Sequence, residues 1–474
     1  MLTEIQHAPV EIFRRLRHLP HLAFLDSARF HPGHGRFSFL AADPLMTLRT
    51  DGARSFIHRR SGEVEITGDP WEILDALLTR FRHPGDPDHP RLPVGAAIGF
   101  LGYGMGQWLD RSPQPRPALI QSPDLWFAFY DVLLAFDHVG QRGWLVSSGM
   151  DESGVQSEAQ AVFRRDQFLD ELQSDVALFP FAGAGSANIV PMRSQADHEL
   201  AIRKALDYIR RGDVYQVNLA YEFMGTVSES PHDLYLRLRS VNPSPFASYL
   251  DFGEGQILSS SPERFLHMDR RKIQTRPIKG TCARGDNPLL DWKQAEALLR
   301  SEKNQAELLM ITDLLRNDLG RVAEFGSVHV SELSRCEQYE TVYHLVSTIE
   351  AKLRPHILHL DALAACFPGG SITGAPKLRA MEIIHELETF GRGIYTGSLG
   401  YIGFNGVSDF NILIRSILHR HGQTCFHAGG GIVADSDPRQ EFIETLDKAQ
   451  GMLRLWKTTP IPSPQTHRTA KAVS

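Results

Sequence analysis

A lysine stands between a proline and a glycine in Arg276-Pro277-Ile278-Lys279-Gly280-Thr281, a placement suited to covalent chemistry. Proline stiffens the approach to the amine, and glycine lets backbone come close to a ligand. A lysine amine attacks only when neutral, and an ordinary pKa of about 10.4 leaves roughly one molecule in a thousand neutral at pH 7. Desolvation and nearby positive charge both lower that value; Arg276, Arg284 and a neighbouring metal ion are the candidate charges. If residues 273–281 run extended, Lys279 and Thr281 point to one side and face one substrate.

Carboxylates supply the second chemistry. A helix through Ser301 to Met310 sets Glu307 beside Leu308 and Leu309, and on the last helix Glu441, Glu444 and Lys448 share a face. Carboxylates from two helices meeting at a polar pocket suit a Mg²⁺ ion that also takes water and an anionic ligand, the alternative being solvated helix faces. Arg415 lies in Asn411 to Leu418, a run apolar on both parities that predicts a central strand. A buried arginine there requires a partner, either a structural carboxylate or an anionic substrate. Close behind, Ala428-Gly429-Gly430-Gly431 can present bare N–H groups to a carboxylate. The turn Pro368 to Lys377 fails as a phosphate-binding loop, because Gly374 is followed by Ala375 and Pro376 instead of Lys and Ser or Thr. It is left as an anion-binding helix start or a structural glycine turn.

The elements that would position these groups fall into two regions and a tail. Residues 1–185 read as short strands, including Ala23 to Ser27, Arg36 to Ala41 and Val94 to Phe100, whose glycines predict close backbone packing. The small-residue stretch Phe181 to Ala187 reads as a linker. Residues 190–456 open with a helix over 197–211 capped by Asp197, followed by a strand at Tyr215 to Leu219. Mainly helical sequence spans Leu289 to Leu319, a helix runs over 374–389, and Asn405-Gly406 marks a hairpin. The last helix is capped at Asp437 with Pro438 in its first position. Residues 457–474 read as a disordered tail.

Composition narrows the classes. The 474 residues are 42% hydrophobic and 22% charged, with net charge −6, which gives no pull toward nucleic acid or an anionic membrane. No apolar run approaches a membrane span of about 20 residues, and there is no signal-peptide core. Four scattered cysteines without a CxxC pair suit reduced thiols in the cytoplasm.

Taken together, Ser261-Pro262-Glu263-Arg264-Phe265, Pro277 to Thr281, Ala306-Glu307, Asp313 to Asp318, Tyr343 to Ser347, Gly374 to Lys377 and Glu444 to Ala449 resemble, in order and spacing, the chorismate-utilising enzymes. That family includes the anthranilate, isochorismate, salicylate and aminodeoxychorismate synthases. The resemblance implies an α+β fold of two intertwined halves, with packed central sheets and outer helices. The Pro-Ile-Lys-Gly-Thr form resembles component I of the aminodeoxychorismate branch, where anthranilate synthases usually carry alanine for the lysine. It implies that Lys279 attacks C2 of chorismate and expels the C4 hydroxyl, that Glu263 protonates that leaving group, and that ammonia then attacks C4 to give 4-amino-4-deoxychorismate for 4-aminobenzoate and folate.

The same resemblance implies Mg²⁺ held by Glu307 and Glu444, with Glu441 close by or acting through water. The ring carboxylate would meet Gly429, Gly431, Lys448, Thr281 and neighbouring Gly280; the enolpyruvyl carboxylate would meet Tyr395 and Arg415, and His344 would stand beside the ring. Gln216 replaces the lysine that activates water in the isochorismate and salicylate branches. With no fused glutaminase motif, ammonia is expected from a separate glutamine amidotransferase subunit, or free in solution. Asp26, Ser27, Pro245 and Phe246 match a tryptophan pocket, although Asp26 replaces the glutamate of regulated relatives, so that pocket is read as a binding site or as core. The rival functions are an anthranilate synthase component and a non-catalytic subunit that binds chorismate or an amidotransferase.

Overall fold

The computed structural model describes residues 1–30, 34–89, 91–109, 113–174, 187–338 and 342–456. The expected tail lies outside them, as does the linker apart from Ala187. Two twelve-stranded sheets, antiparallel throughout, dominate the architecture. Each draws strands from both ends of the chain: Ala23–Asp26 pairs with Phe246–Asp251 in one, and Ala96–Leu101 pairs with Ser398–Gly403 in the other. The halves are therefore interleaved by strand pairing itself.

Alternation along these strands explains the layers, because each strand buries one set of side chains between the sheets and the other beneath helices. Phe39, Phe100, Trp126, Leu250, Tyr401 and Leu418 fill the space between the sheets. Helices Pro9–Leu16, Glu158–Gln173, Pro231–Val241 and Pro438–Leu453 cover the outer face of the first sheet. Pro70–Arg80, Glu302–Gly320 and His359–Cys366 cover that of the second. Glycine permits the tightest approaches, as expected for the 94–100 strand: a side chain at Gly99 would put its Cβ 2.0 Å from the Trp126 carbonyl oxygen.

Local readings are corrected in four places. The helix expected from 197 is Gln195–Arg210, and its cap is Ser194, whose Oγ accepts the Asp197 N–H at 3.2 Å; Ser194 lies outside the helix, where a cap must be. The helix expected from 374 begins at Lys377, because Gly374–Ala375 pairs with the strand Gln216–Thr226 instead. Extension over 273–281 is broken after Arg276, and Gly280 at φ +69° forms a bulge that sets Lys279 opposite Leu345 but Thr281 opposite His344. The central strand expected at 411–418 does not exist as one strand: Val407–Ile412 belongs to the second sheet, Ser416–Arg420 to the first, and Arg415 sits in the crossover at φ +51°. A run apolar on both parities here serves two sheets in succession. The Asn405-Gly406 hairpin and the Asp437 cap are as expected, with Asp437 Oδ1 accepting the Gln440 N–H at 2.9 Å.

Candidate active site

Three pieces of chain meet at Lys279. The lysine strand Ile278–Ala283 brings the amine to the turn Gly370–Ile372, where Nζ donates to the Ser371 carbonyl oxygen at 3.2 Å. The Ser371 hydroxyl donates to Glu263 Oε1 at 2.7 Å. One serine therefore touches both candidate reacting groups. Glu263 is buried because Ser261 ends its strand and turns the chain, its Oγ donating to the Ile412 carbonyl oxygen at 2.6 Å. Burial pushes the Glu263 carboxyl up, against the Ser371 hydrogen bond and the charges of Lys279 and Arg415. Burial likewise lowers Lys279, opposed by Glu263, Glu307 and Glu444 and aided by Lys448. A neutral amine beside a protonated carboxyl is the state a nucleophile and a general acid require.

The arginines expected to lower Lys279 are engaged elsewhere. Arg276 bonds Thr348 Oγ1 at 3.1 Å, shares a 2.6 Å contact with His34 and pairs with Glu337. Arg284 pairs with Asp291. Desolvation is the main cause that remains.

Arg415 differs from both. The residue is solvent-accessible, its pKa is lowered by desolvation against the charge of Glu263, and its side chain forms no hydrogen bond or ion pair among the described residues. An unspent, accessible guanidinium fits a ligand carboxylate. His344, buried and held down to about 4 by desolvation and by Arg415 and Arg29, shares a 2.8 Å hydrogen bond between Nδ1 and Thr281 Oγ1. Tyr395 is buried and stacks on His427 at 4.7 Å, and the Asn218 Nδ2 donates to the Ile372 oxygen at 2.9 Å.

The glycine run lies on the strand Gln423–Ile432, paired with Gln216–Thr226. A Cβ at Gly429 would lie 2.2 Å from the Leu219 backbone oxygen, so that position admits no side chain, whereas one at Gly431 would lie 2.2 Å from Gln216 Nε2 and would require that amide to move. Gly430 faces the last helix, where its Cβ would be 3.3 Å from Glu441 Oε2. Lys448 Nζ donates to the Gly429 oxygen at 3.0 Å and pairs with Glu444 at 2.8 Å. Gln216 is buried, and its Oε1 has no hydrogen-bond partner among the described residues.

Among the described residues no three His, Cys, Asp or Glu side chains converge as a finished metal cage. The donor chemistry nonetheless fits Mg²⁺, which leaves several of its positions to water and ligand oxygens. Burial raises the Glu441 carboxyl and the Glu444 charge raises it further, against a 2.6 Å hydrogen bond from Ser436. Glu307 and Glu444, from two different helices, both act by their charge on Lys279, and Glu444 acts on Glu441. Glu307 itself has Lys303 at 3.9 Å.

Two candidate regions resolve differently. Lys377 Nζ is bonded to Asp318 Oδ2 and to the Cys366 oxygen, both at 2.8 Å, so the Pro368 to Lys377 turn spends its cation on structure. Asp26, Ser27, Pro245 and Phe246 line a separate cavity of about 400 Å³. Asp26 is already bonded by Arg239 at 2.5 Å and by the Tyr235 hydroxyl at 3.1 Å.

Ser371 and Asn218 escaped the sequence reading as site residues. A hydroxyl inside a glycine-rich turn and an amide inside the apolar strand 215–219 were the available signals.

Two antiparallel sheets interleaved from both ends of the chain, with helices on their outer faces, form the α+β fold of the chorismate-utilising enzymes. Residues 26–454 match the family model described as chorismate binding enzyme, and the chain belongs to that family. It is 38% identical to aminodeoxychorismate synthase component 1 of Escherichia coli strain K12, over 95% of this chain and 96% of that one. It is also 38% identical to anthranilate synthase component 1 of Thermus thermophilus, over 94% of each. The crystal structure of anthranilate synthase component I from Streptococcus pneumoniae superposes with a TM-score of 0.79 at 32% identity, covering 90% of this chain and 93% of that one. The menaquinone-specific isochorismate synthase MenF of Escherichia coli shares the fold at a TM-score of 0.71 and 18% identity, covering 96% of this chain and 94% of that one. No helix among the described residues is long and apolar enough to cross a membrane.

Proposed function

We propose that this chain is the aminating component of an aminodeoxychorismate synthase. The observation that carries the reading is Lys279 joined to Glu263 through Ser371, at 3.2 and 2.7 Å. Lys279 Nζ attacks C2 of chorismate, both ring double bonds shift, and the C4 oxygen leaves as water with the proton of Glu263. Ammonia then adds at C4, both double bonds shift back, and the C2–N bond to Lys279 breaks. The proton shed by the attacking lysine restores Glu263, and the one shed by the incoming ammonia restores the departing lysine amine, so the enzyme returns to its starting state. Arg415 and Tyr395 hold the enolpyruvyl carboxylate; Lys448, Thr281 and the Gly429 to Gly431 backbone hold the ring carboxylate. Gly280 lets the strand bulge so that Lys279 and Thr281 both reach the ligand. His344, neutral at physiological pH, packs beside the ring without adding charge.

Glu307, Glu444 and Glu441 would hold Mg²⁺, which when bound offsets the substrate's negative charge and draws electrons from the ring. Ammonia comes from a separate glutamine amidotransferase subunit, as the component 1 names of the relatives suggest, in the cytoplasm where folate precursors are made. The cavity at Asp26, Ser27, Pro245 and Phe246 has room for an amino acid the size of tryptophan.

Anthranilate synthesis is the second reading, favoured by relatives of that name at equal identity. Incubation with chorismate, Mg²⁺ and ammonium at alkaline pH separates the two by chromatography and mass. Aminodeoxychorismate without pyruvate supports the proposal; anthranilate with pyruvate overturns it.

A further inference from the structure

Behind the site lies a buried arginine with every donor spent. A guanidinium has five N–H groups, and those of Arg392 reach Glu388 Oε2 at 2.9 Å, Glu388 Oε1 at 2.7 Å, the Ile372 oxygen at 3.0 Å, Thr396 Oγ1 at 3.1 Å and the Asn218 oxygen at 2.8 Å. Glu388 Oε1 also accepts the Ala220 N–H at 3.0 Å. The guanidinium carbon lies 5.6 Å from the Tyr395 ring centroid. None of these groups is exposed: Arg392 is 3% and Glu388 6% accessible.

These contacts fall on three separate pieces of chain, each carrying a site residue. Ile372 follows Ser371, the serine that touches Glu263 and Lys279. Asn218 pairs with Gly431 across the sheet and its Nδ2 donates to the Ile372 oxygen at 2.9 Å, while Thr396 follows Tyr395 and its Oγ1 donates to the Tyr395 oxygen at 2.6 Å. A planar fork fixes directions that a flexible ammonium cannot.

We propose that Arg392, held by Glu388, is a positioning residue that locks the Ser371 turn, the Asn218 strand and the Tyr395 loop against one another, so that Glu263 and the carboxylate-binding wall keep one geometry. The inference rests on the functional reading above. It assigns Arg392 no contact with the substrate.

The test is steady-state chorismate amination across pH for wild type, R392K, S371A and the double variant, with thermal melts alongside. Lysine cannot reach the separated acceptors together, and displacements near 1 Å can cost a reaction about a hundredfold. R392K is expected to lower kcat by about tenfold or more. It should also move the pH limb set by Glu263 upward, because the Ser371 hydrogen bond that favours the charged carboxylate loosens, leaving Lys279 and Arg415 as its other charged neighbours. In the S371A background R392K should move that limb no further. Wild-type kcat, KM and limb in a folded R392K would overturn the proposal, as would an equal limb shift in both backgrounds. If R392K does not fold, T396V, which removes one acceptor, is judged by the same two criteria. A wild-type chain that aminates no chorismate would overturn the functional reading itself, and this inference with it.

Discussion

Arg415 offers a prediction in which binding and stability separate. Its side chain makes no hydrogen bond or ion pair among the described residues, so Arg415→Ala removes no internal contact of that kind. Alanine also tolerates the φ of +51° no worse than arginine, since both carry a Cβ. The thermal midpoint should therefore stay within about 2 °C of wild type, as for surface changes that touch no structural feature. Binding should suffer. A hydrogen bond to a charged group is worth about 1.5–3 kcal/mol, which converts to a rise in KM for chorismate of roughly 10- to 150-fold. Arg415→Lys should fall between the two, keeping the charge but losing the fork. Removing the charge also takes away one influence that lowers Glu263, so the pH limb set by that carboxyl should move upward. Initial rates against chorismate concentration, with melts on the same preparations, measure all of this. A midpoint several degrees lower with KM unchanged would refute the reasoning and make Arg415 a structural residue.

Three other outcomes follow from the same geometry. Glu307→Gln should raise the Mg²⁺ concentration needed for half-maximal rate or abolish activity; unchanged Mg²⁺ dependence in a titration would remove Glu307 from the metal-binding set. Lys377→Met leaves the 3% exposed Asp318 without its cation, so urea denaturation should show a loss of about 3–5 kcal/mol; a loss near zero would return the Pro368 to Lys377 turn to the anion-binding reading. His198, lowered from 6.5 to about 4 by burial and then by Arg193, is neutral when folded but takes a proton near 6.5 when unfolded. Its contribution is thus complete above about 6.5 and lost as pH falls toward 4, on the order of 3 kcal/mol over the window. His198→Gln should flatten stability against pH there, and an unchanged slope would count against it.

The candidate reacting groups were more legible in the sequence than the path of the chain. Lys279 and Glu263 could be picked out because their flanking residues form recognisable strings, and the structure brings them to opposite sides of Ser371. Helix caps with proline behind them, as at Asp437, were equally plain, since capping is decided within four residues. Arg415 shows the limit. An apolar run cannot reveal that the chain leaves one sheet and enters another in its middle, because strand pairing partners lie far away in sequence. Gly280 shows another: a glycine in a strand announces a bulge or a close approach without saying which. Glu388 and Arg392 stand at and beyond the end of the helix Lys377–Leu387 with nothing in their flanking residues to single them out; only the convergence of Ile372, Asn218 and Thr396 on the arginine sets the pair apart.

The covalent role of Lys279 is tested most directly by intact-protein and peptide mass spectrometry after incubation with chorismate and Mg²⁺ in the absence of ammonia. An adduct of one chorismate less one water, mapped to the peptide bearing Lys279, discharged on adding ammonium and absent from Lys279→Ala, is the expected result. Wild-type turnover by Lys279→Ala, or an adduct that persists in it, would contradict the account.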